Sequence, residues 1–176
     1  MNKLGKLLLS LSLIFVIGCS KDSSNDEPLS ETGFKIEGNW RMHSYSYFGS
    51  RTDILEEDVT QRQFTGIGWE INMDMVFSES PNNYSSSGSY YVDHIVTNSE
   101  GQETLYYGYF EVEDLGTWVR NGTSIDLILD GETSQGTITE LTDTTLEFIV
   151  QSSTSDTNWE GTVTNITRTD TYRYIR

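Results

Sequence analysis

The chain carries a single cysteine, Cys19, in 176 residues. One thiol cannot close an internal disulfide, and a cysteine-built metal site is excluded with it. Alanine is absent and proline occurs twice. A chain without the best helix former, yet rich in Ser, Thr, Gly and Tyr, favours strands and tight turns. Only two histidines occur, His43 and His94, and no His-x-x-x-His spacing pairs them as metal ligands. No Gly-x-Ser-x-Gly elbow is present, so a serine hydrolase of that class has no support. Basic residues are scarce, 11 against 27 acidic ones, for a formal net charge of −16. Nucleic acid and bare anionic bilayers are therefore poor partners, because attraction to phosphate dominates such binding. No apolar run reaches the roughly twenty residues that span a bilayer as a helix.

What is present begins with a leader. Met1 to Lys6 is short and basic, Leu7 to Ile17 is apolar, and Gly18 precedes Cys19. A basic end, a short apolar middle and a small residue before a processing point make a secretory signal over residues 1–18. Val16-Ile17-Gly18-Cys19 resembles a bacterial lipobox, with Gly18 and Cys19 fitting best. That resemblance implies cleavage before Cys19 and acylation of its thiol, and two or more chains anchor a protein stably. Loss of Lys3 and Lys6 with the leader takes the charge to about −18. Residues 19–35 are polar and acidic, too poor in apolar surface to fold, and read as a disordered tether. Lys21-Asp22 loosely resembles the acidic export signals of Bacteroidetes surface lipoproteins. The expected location is the outer membrane, lipid-anchored, facing either the cell surface or the periplasm.

From Ile36 on, the pattern is strand, turn, strand. Gly38 to Phe48 opens the domain, with Trp40 and Met42 on one parity and Tyr45 and Tyr47 on the other. Gly49 to Gly68 is long for a hairpin loop, and long connections often carry function. Trp69, Ile71, Met73, Met75 and Phe77 alternate with mostly polar neighbours, the cleanest strand in the chain. Tyr84 to Asn98 follows; then Glu103 to Val112, a break at Asp114 to Gly116, and a resumption to Arg120. Asn121-Gly122 is a strong hairpin signal. Ser124 to Leu129, Gln135 to Leu141 and Thr144 to Gln151 are further strands, and Ser152 to Asn158 reads as a polar loop. The last strand region, Trp159 to Arg176, reads as bent near Arg168 to Asp170. Regular short strands with frequent turns predict an all-β fold, a sandwich or barrel of about eight antiparallel strands.

Gly38-Asn39-Trp40, Gly116-Thr117-Trp118, the Ile138-to-Leu146 hairpin and Tyr172-Arg173-Tyr174-Ile175-Arg176 together resemble a lipocalin-like domain of Bacteroidetes lipoproteins, a calycin-like barrel. The resemblance covers nearly all of residues 36–176. It implies a single closed up-and-down β-barrel with an open mouth and small-molecule binding. It also implies a structural signature at the closed end: Gly38 and Trp40, with Arg173 or Arg176 laid across the indole.

The candidate ligand contacts are Tyr45, Tyr47, Trp69, Met73, Tyr90, Tyr107, Tyr109 and Trp118, an aromatic set with one adaptable thioether. An eight-stranded barrel is near the size at which side chains either fill the interior or leave room for one small ligand. Glu111, Glu113 and Asp114 could form an acid pair for glycoside cleavage, and Asp53, Glu56, Glu57 and Asp58 a calcium loop. Acids at strand ends are usually solvated, and the second set lacks the spacing and glycine of an EF-hand. No catalytic residue, metal or cofactor is assigned. The reading is a membrane-tethered, non-enzymatic monomer that holds a small apolar or amphipathic molecule, with Gly49 to Gly68 as a lid. The alternative is an accessory surface lipoprotein with a filled barrel that binds a protein or glycan through its outer face.

Overall fold

The computed structural model describes residues 33–176. The expected signal sequence, Cys19 and most of the expected tether lie outside the described residues. Eight strands form: β1 (Gly38–Leu55), β2 (Asp58–Ser78), β3 (Asn83–Asn98), β4 (Glu103–Asn121), β5 (Ser124–Leu129), β6 (Glu132–Leu141), β7 (Thr145–Thr157) and β8 (Val163–Ile175). Each pairs antiparallel with the next, and β1 pairs with β8, so the sheet closes on itself as an up-and-down barrel. Closure removes the unpaired edges that an open all-β sheet would expose.

The lower half of the barrel is packed. Trp40, Met42, Met75, Phe77, Trp118, Ile125, Leu146, Phe148 and Tyr174 are buried there, and Ile36 plugs the end. The Trp40 indole donates to the Ile36 carbonyl at 2.6 Å. The Arg176 guanidinium lies 4.1 Å from the Trp40 ring centroid and donates to the Glu37 carbonyl. A cation over an indole face contributes about 0.5–2 kcal/mol. Arg173 does something else, bonding Glu140 and Glu147 at 2.8 and 2.9 Å on the other face of β8. Contacts begin before β1: Arg120 and Arg176 donate to the Phe34 and Lys35 carbonyls.

Four features differ from the sequence reading. Gly49 to Gly68 is no lid. Its residues complete β1 and begin β2, paired from Gly49↔Phe64 to Leu55↔Asp58 around a tight turn. Likewise Ser152 to Thr157 continues β7, and neither the break at Asp114 to Gly116 nor the bend at Arg168 to Asp170 interrupts β4 or β8. The upper β1–β2 ribbon and Ser152 to Thr157 rise above the packed core, where both faces of a strand are largely wet and apolar alternation has no cause.

Two bulges decide which side chains enter the barrel. Register shifts between Met42 and Ser44 on β1, so Met42 and Tyr45 both point inward. On β2 the register shifts between Trp69 and Asn72, with Glu70 at φ 46°. An extra residue in one strand flips the parity beyond it. Ile71, Met73, Met75 and Phe77 therefore face inward while Trp69 turns out.

Candidate ligand cavity

Above the core, the inward-facing positions of β1, β2, β3 and β8 converge on an aromatic and polar chamber. Tyr45 is buried, its ring stacked on Tyr172 at 5.0 Å and edge-on to Tyr90 at 5.3 Å. Asp170 is 6% exposed, a carboxylate taken almost out of water. Its charge is held by Tyr45 Oη, which donates at 2.7 Å, and by Arg168 Nε and Nη2 at 3.0 and 2.7 Å. Arg168 also donates to Tyr45 Oη and lies 3.9 Å over the Tyr47 ring. Tyr47 and His94 share a 2.6 Å hydrogen bond between Oη and Nδ1. Phe64 lies 6.1 Å from the Tyr47 ring and 5.8 Å from His94.

Electrostatics follow from burial. Burial pushes the Tyr45 and Tyr172 phenols well up, with neighbouring Tyr172 and Asp170 adding to it for Tyr45, so both stay protonated donors. Burial, and then the Arg168 charge, lower the His94 imidazole and favour its neutral form. Burial works against the Arg168 charge, but Asp170 and Tyr45 more than offset it and hold the guanidinium ionised.

At the upper opening a pocket of about 290 Å³ is lined by Tyr47, Phe64, His94 and Val96, with Ile166 and three arginines, Arg51, Arg62 and Arg168. Ligand sites commonly occupy about 300 Å³ upward, so this space suits one small molecule or one end of a longer one. A wider groove of about 600 Å³ runs beside it, lined mostly by outward-facing polar side chains such as Ser50, Gln63, Thr65 and Thr169. The chamber also opens sideways. β4 pairs with β5 only over Thr117 to Asn121, and β7 with β6 only up to Val150. The short β5–β6 hairpin thus leaves a notch between the upper parts of β4 and β7. Through it the inward residues Tyr106 and Phe110 remain 53% and 47% exposed, and Phe110 stacks on Tyr90 at 5.4 Å.

Of the residues proposed from sequence, Tyr45, Tyr47 and Tyr90 meet in this chamber. Met73 and Trp118 do not; they belong to the packed lower core, where Trp118 stands edge-on to Phe77 and donates to the Ser78 carbonyl. Trp69, Tyr107 and Tyr109 are corrected outright: all three lie outside the barrel, exposed by 39%, 72% and 55%. The β2 bulge turns Trp69 out, and on β4 it is the even-numbered residues that share a face with buried Trp118. Glu111 and Glu113 are exposed on that same outer face, so they form no acid pair across a cleft. Asp53 accepts from Arg51 at 2.9 Å and from Thr164 at 2.7 Å. Among the described residues no cluster of three or more His, Cys, Asp and Glu is placed to hold a metal. Sequence reasoning missed Arg168, Asp170, Tyr172 and His94. The alternation Arg168, Asp170, Tyr172, Tyr174 carries the signal, since each shares the parity of a buried aromatic.

A lipocalin-like domain profile matches residues 36–148, more than half of the chain. No curated protein and no solved structure matches it.

Proposed function

This chain belongs to the lipocalin-like domain family, and we propose that it binds one small apolar or amphipathic molecule in the upper barrel. The observation that carries the reading is the contrast between the two halves. The lower half is filled with side chains, whereas the upper half keeps an aromatic pocket of about 290 Å³ open to solvent. Aromatic walls supply most of a ligand's contact area, and a few fixed polar groups set its orientation. Here those groups are Tyr47, His94 and Arg168, already held by bonds to one another or to Asp170. Such preorganisation lowers the entropy lost on binding. A lipid on Cys19 would tether the barrel to the outer membrane, as the sequence Val16 to Cys19 suggests.

Native mass spectrometry of the protein purified from its own host tests the binding. A small molecule should travel with the wild-type chain and be lost from Val96→Trp, which fills the mouth. A bare polypeptide mass in both would contradict the proposal. For the tether, Cys19→Ala should move the protein from the membrane fraction to the soluble one, and continued retention would rule the lipid out.

One observation favours a second reading, capture of a protein or glycan on the outer face. Trp69 stacks on Tyr91 at 4.7 Å, Tyr91 meets Tyr109 at 5.1 Å, and the Trp69 indole donates to Asp93 at 2.8 Å. Partner binding lost in Trp69→Ala and kept in Val96→Trp would establish it.

A further inference from the structure

We propose that the molecule held in the upper barrel is an anion, an amphipath whose carboxylate, sulfonate or phosphate group sits at the mouth between Arg51, Arg62 and Arg168. The inference rests on the small-ligand reading above and narrows its chemistry.

From Ile36 onward there are seven arginines and no lysine. Four of them brace the fold. Arg41 bonds Asn72, Arg120 bonds the Phe34 and Gly122 carbonyls, Arg173 bonds Glu140 and Glu147, and Arg176 clamps the closed end. The other three, from β1, β2 and β8, converge on one opening whose lining contains no carboxylate. Two acids stand close by. Asp53 accepts from Arg51 through Nε alone, and Asp170 accepts from Arg168 through Nε and Nη2. Both Nη groups of Arg51, Nη1 of Arg168 and the whole Arg62 guanidinium make no bond among the described residues. The local balance is three cations to two anions, inside a molecule of net charge −16. Clefts lined by one sign of charge between apolar walls focus the field and concentrate counter-ions, even where the charges themselves are partly solvated. Guanidinium forks suit planar, bidentate recognition of an oxyanion. The apolar body below the head group would lie on Phe64, Val96 and Ile166, and toward Tyr90 and Phe110 at the lateral notch.

Two fluorescent probes that differ by one charge test this on the full chain: anilinonaphthalene sulfonate and its neutral parent, phenylnaphthylamine. The sulfonate should bind at least about tenfold more tightly than the neutral probe, the scale of one charge-assisted hydrogen bond. Arg62→Gln and Arg51→Gln should each remove most of that advantage while leaving the neutral probe's affinity unchanged. Among the described residues the Arg62 guanidinium bonds no other group, so its loss gives the described barrel no reason to fail. Val96→Trp should weaken both probes. Equal affinity for the two probes, with both still displaced by Val96→Trp, would overturn the anion assignment and leave the small-ligand reading standing. No binding of either probe, or binding indifferent to Val96→Trp, would overturn both.

Discussion

Asp170 is the side chain on which the chamber is built. A carboxylate so deeply placed is tolerated only with its charge fully bonded, and Tyr45 and Arg168 supply that. Tyr45→Phe removes one hydrogen bond to the ion and leaves the ring in place. It should cost about 1.5–3 kcal/mol in urea-induced unfolding, the range for bonds to charged groups. Ser50→Ala breaks an exposed bond to Thr167 and should change stability by less than about 0.5 kcal/mol. His94 adds a pH dependence. It faces Tyr47 on β1, Phe64 on β2, Tyr106 on β4 and Arg168 on β8, and its folded-state affinity for a proton is lowered. The unfolded chain therefore binds that proton first as pH falls below the free-imidazole value of 6.5. Stability due to His94 is complete above that pH and is lost as pH falls through the lower folded-state value. Thermal unfolding between neutral and mildly acidic pH should show the decline, and His94→Gln should flatten it.

At the scale of elements, bulges and glycines aim the strands. Gly88 on β3 faces the β2 bulge at φ 129°, and a Cβ there would stand 2.0 Å from the Asn72 carbonyl oxygen. Gly88→Ala combines a backbone penalty with a backbone clash and should destabilise by about 2–4 kcal/mol, measurable by denaturant titration. Strand identity was legible in the sequence wherever one face is dry: Met73, Met75 and Phe77, or Leu146 and Phe148, announce themselves by alternation. It was not legible in the upper β1–β2 ribbon or in Ser152 to Thr157, where water on both faces erases the period. Inward parity was the harder inference. One extra residue on β2 sent Trp69 outside, and nothing in a local apolar pattern marks such a bulge. On β4 both parities are aromatic, so Tyr107 and Tyr109 could not be told from Tyr106 and Phe110 without the pairing partner. Tyr45, Tyr47 and Tyr90 were singled out because aromatics were in surplus, and the barrel brings their rings together. Arg168 and His94 were missed because a lone polar residue on a strand is usually on its wet face.

At the scale of the whole molecule, the barrel is asymmetric. Its closed end is sealed by Ile36, Trp40 and Arg176, and its open end is aromatic, cationic and notched on one side. On the proposed function the open end receives a small molecule and the outer face does not. Aromatic-resolved NMR of the full chain, titrated with phenylnaphthylamine, tests that claim most directly. Shifts in Tyr47, Phe64, Tyr90 and Phe110, with Trp40 and Trp118 unmoved, are the predicted result. Shifts confined to Trp69, Tyr91, Tyr107 and Tyr109 would contradict it.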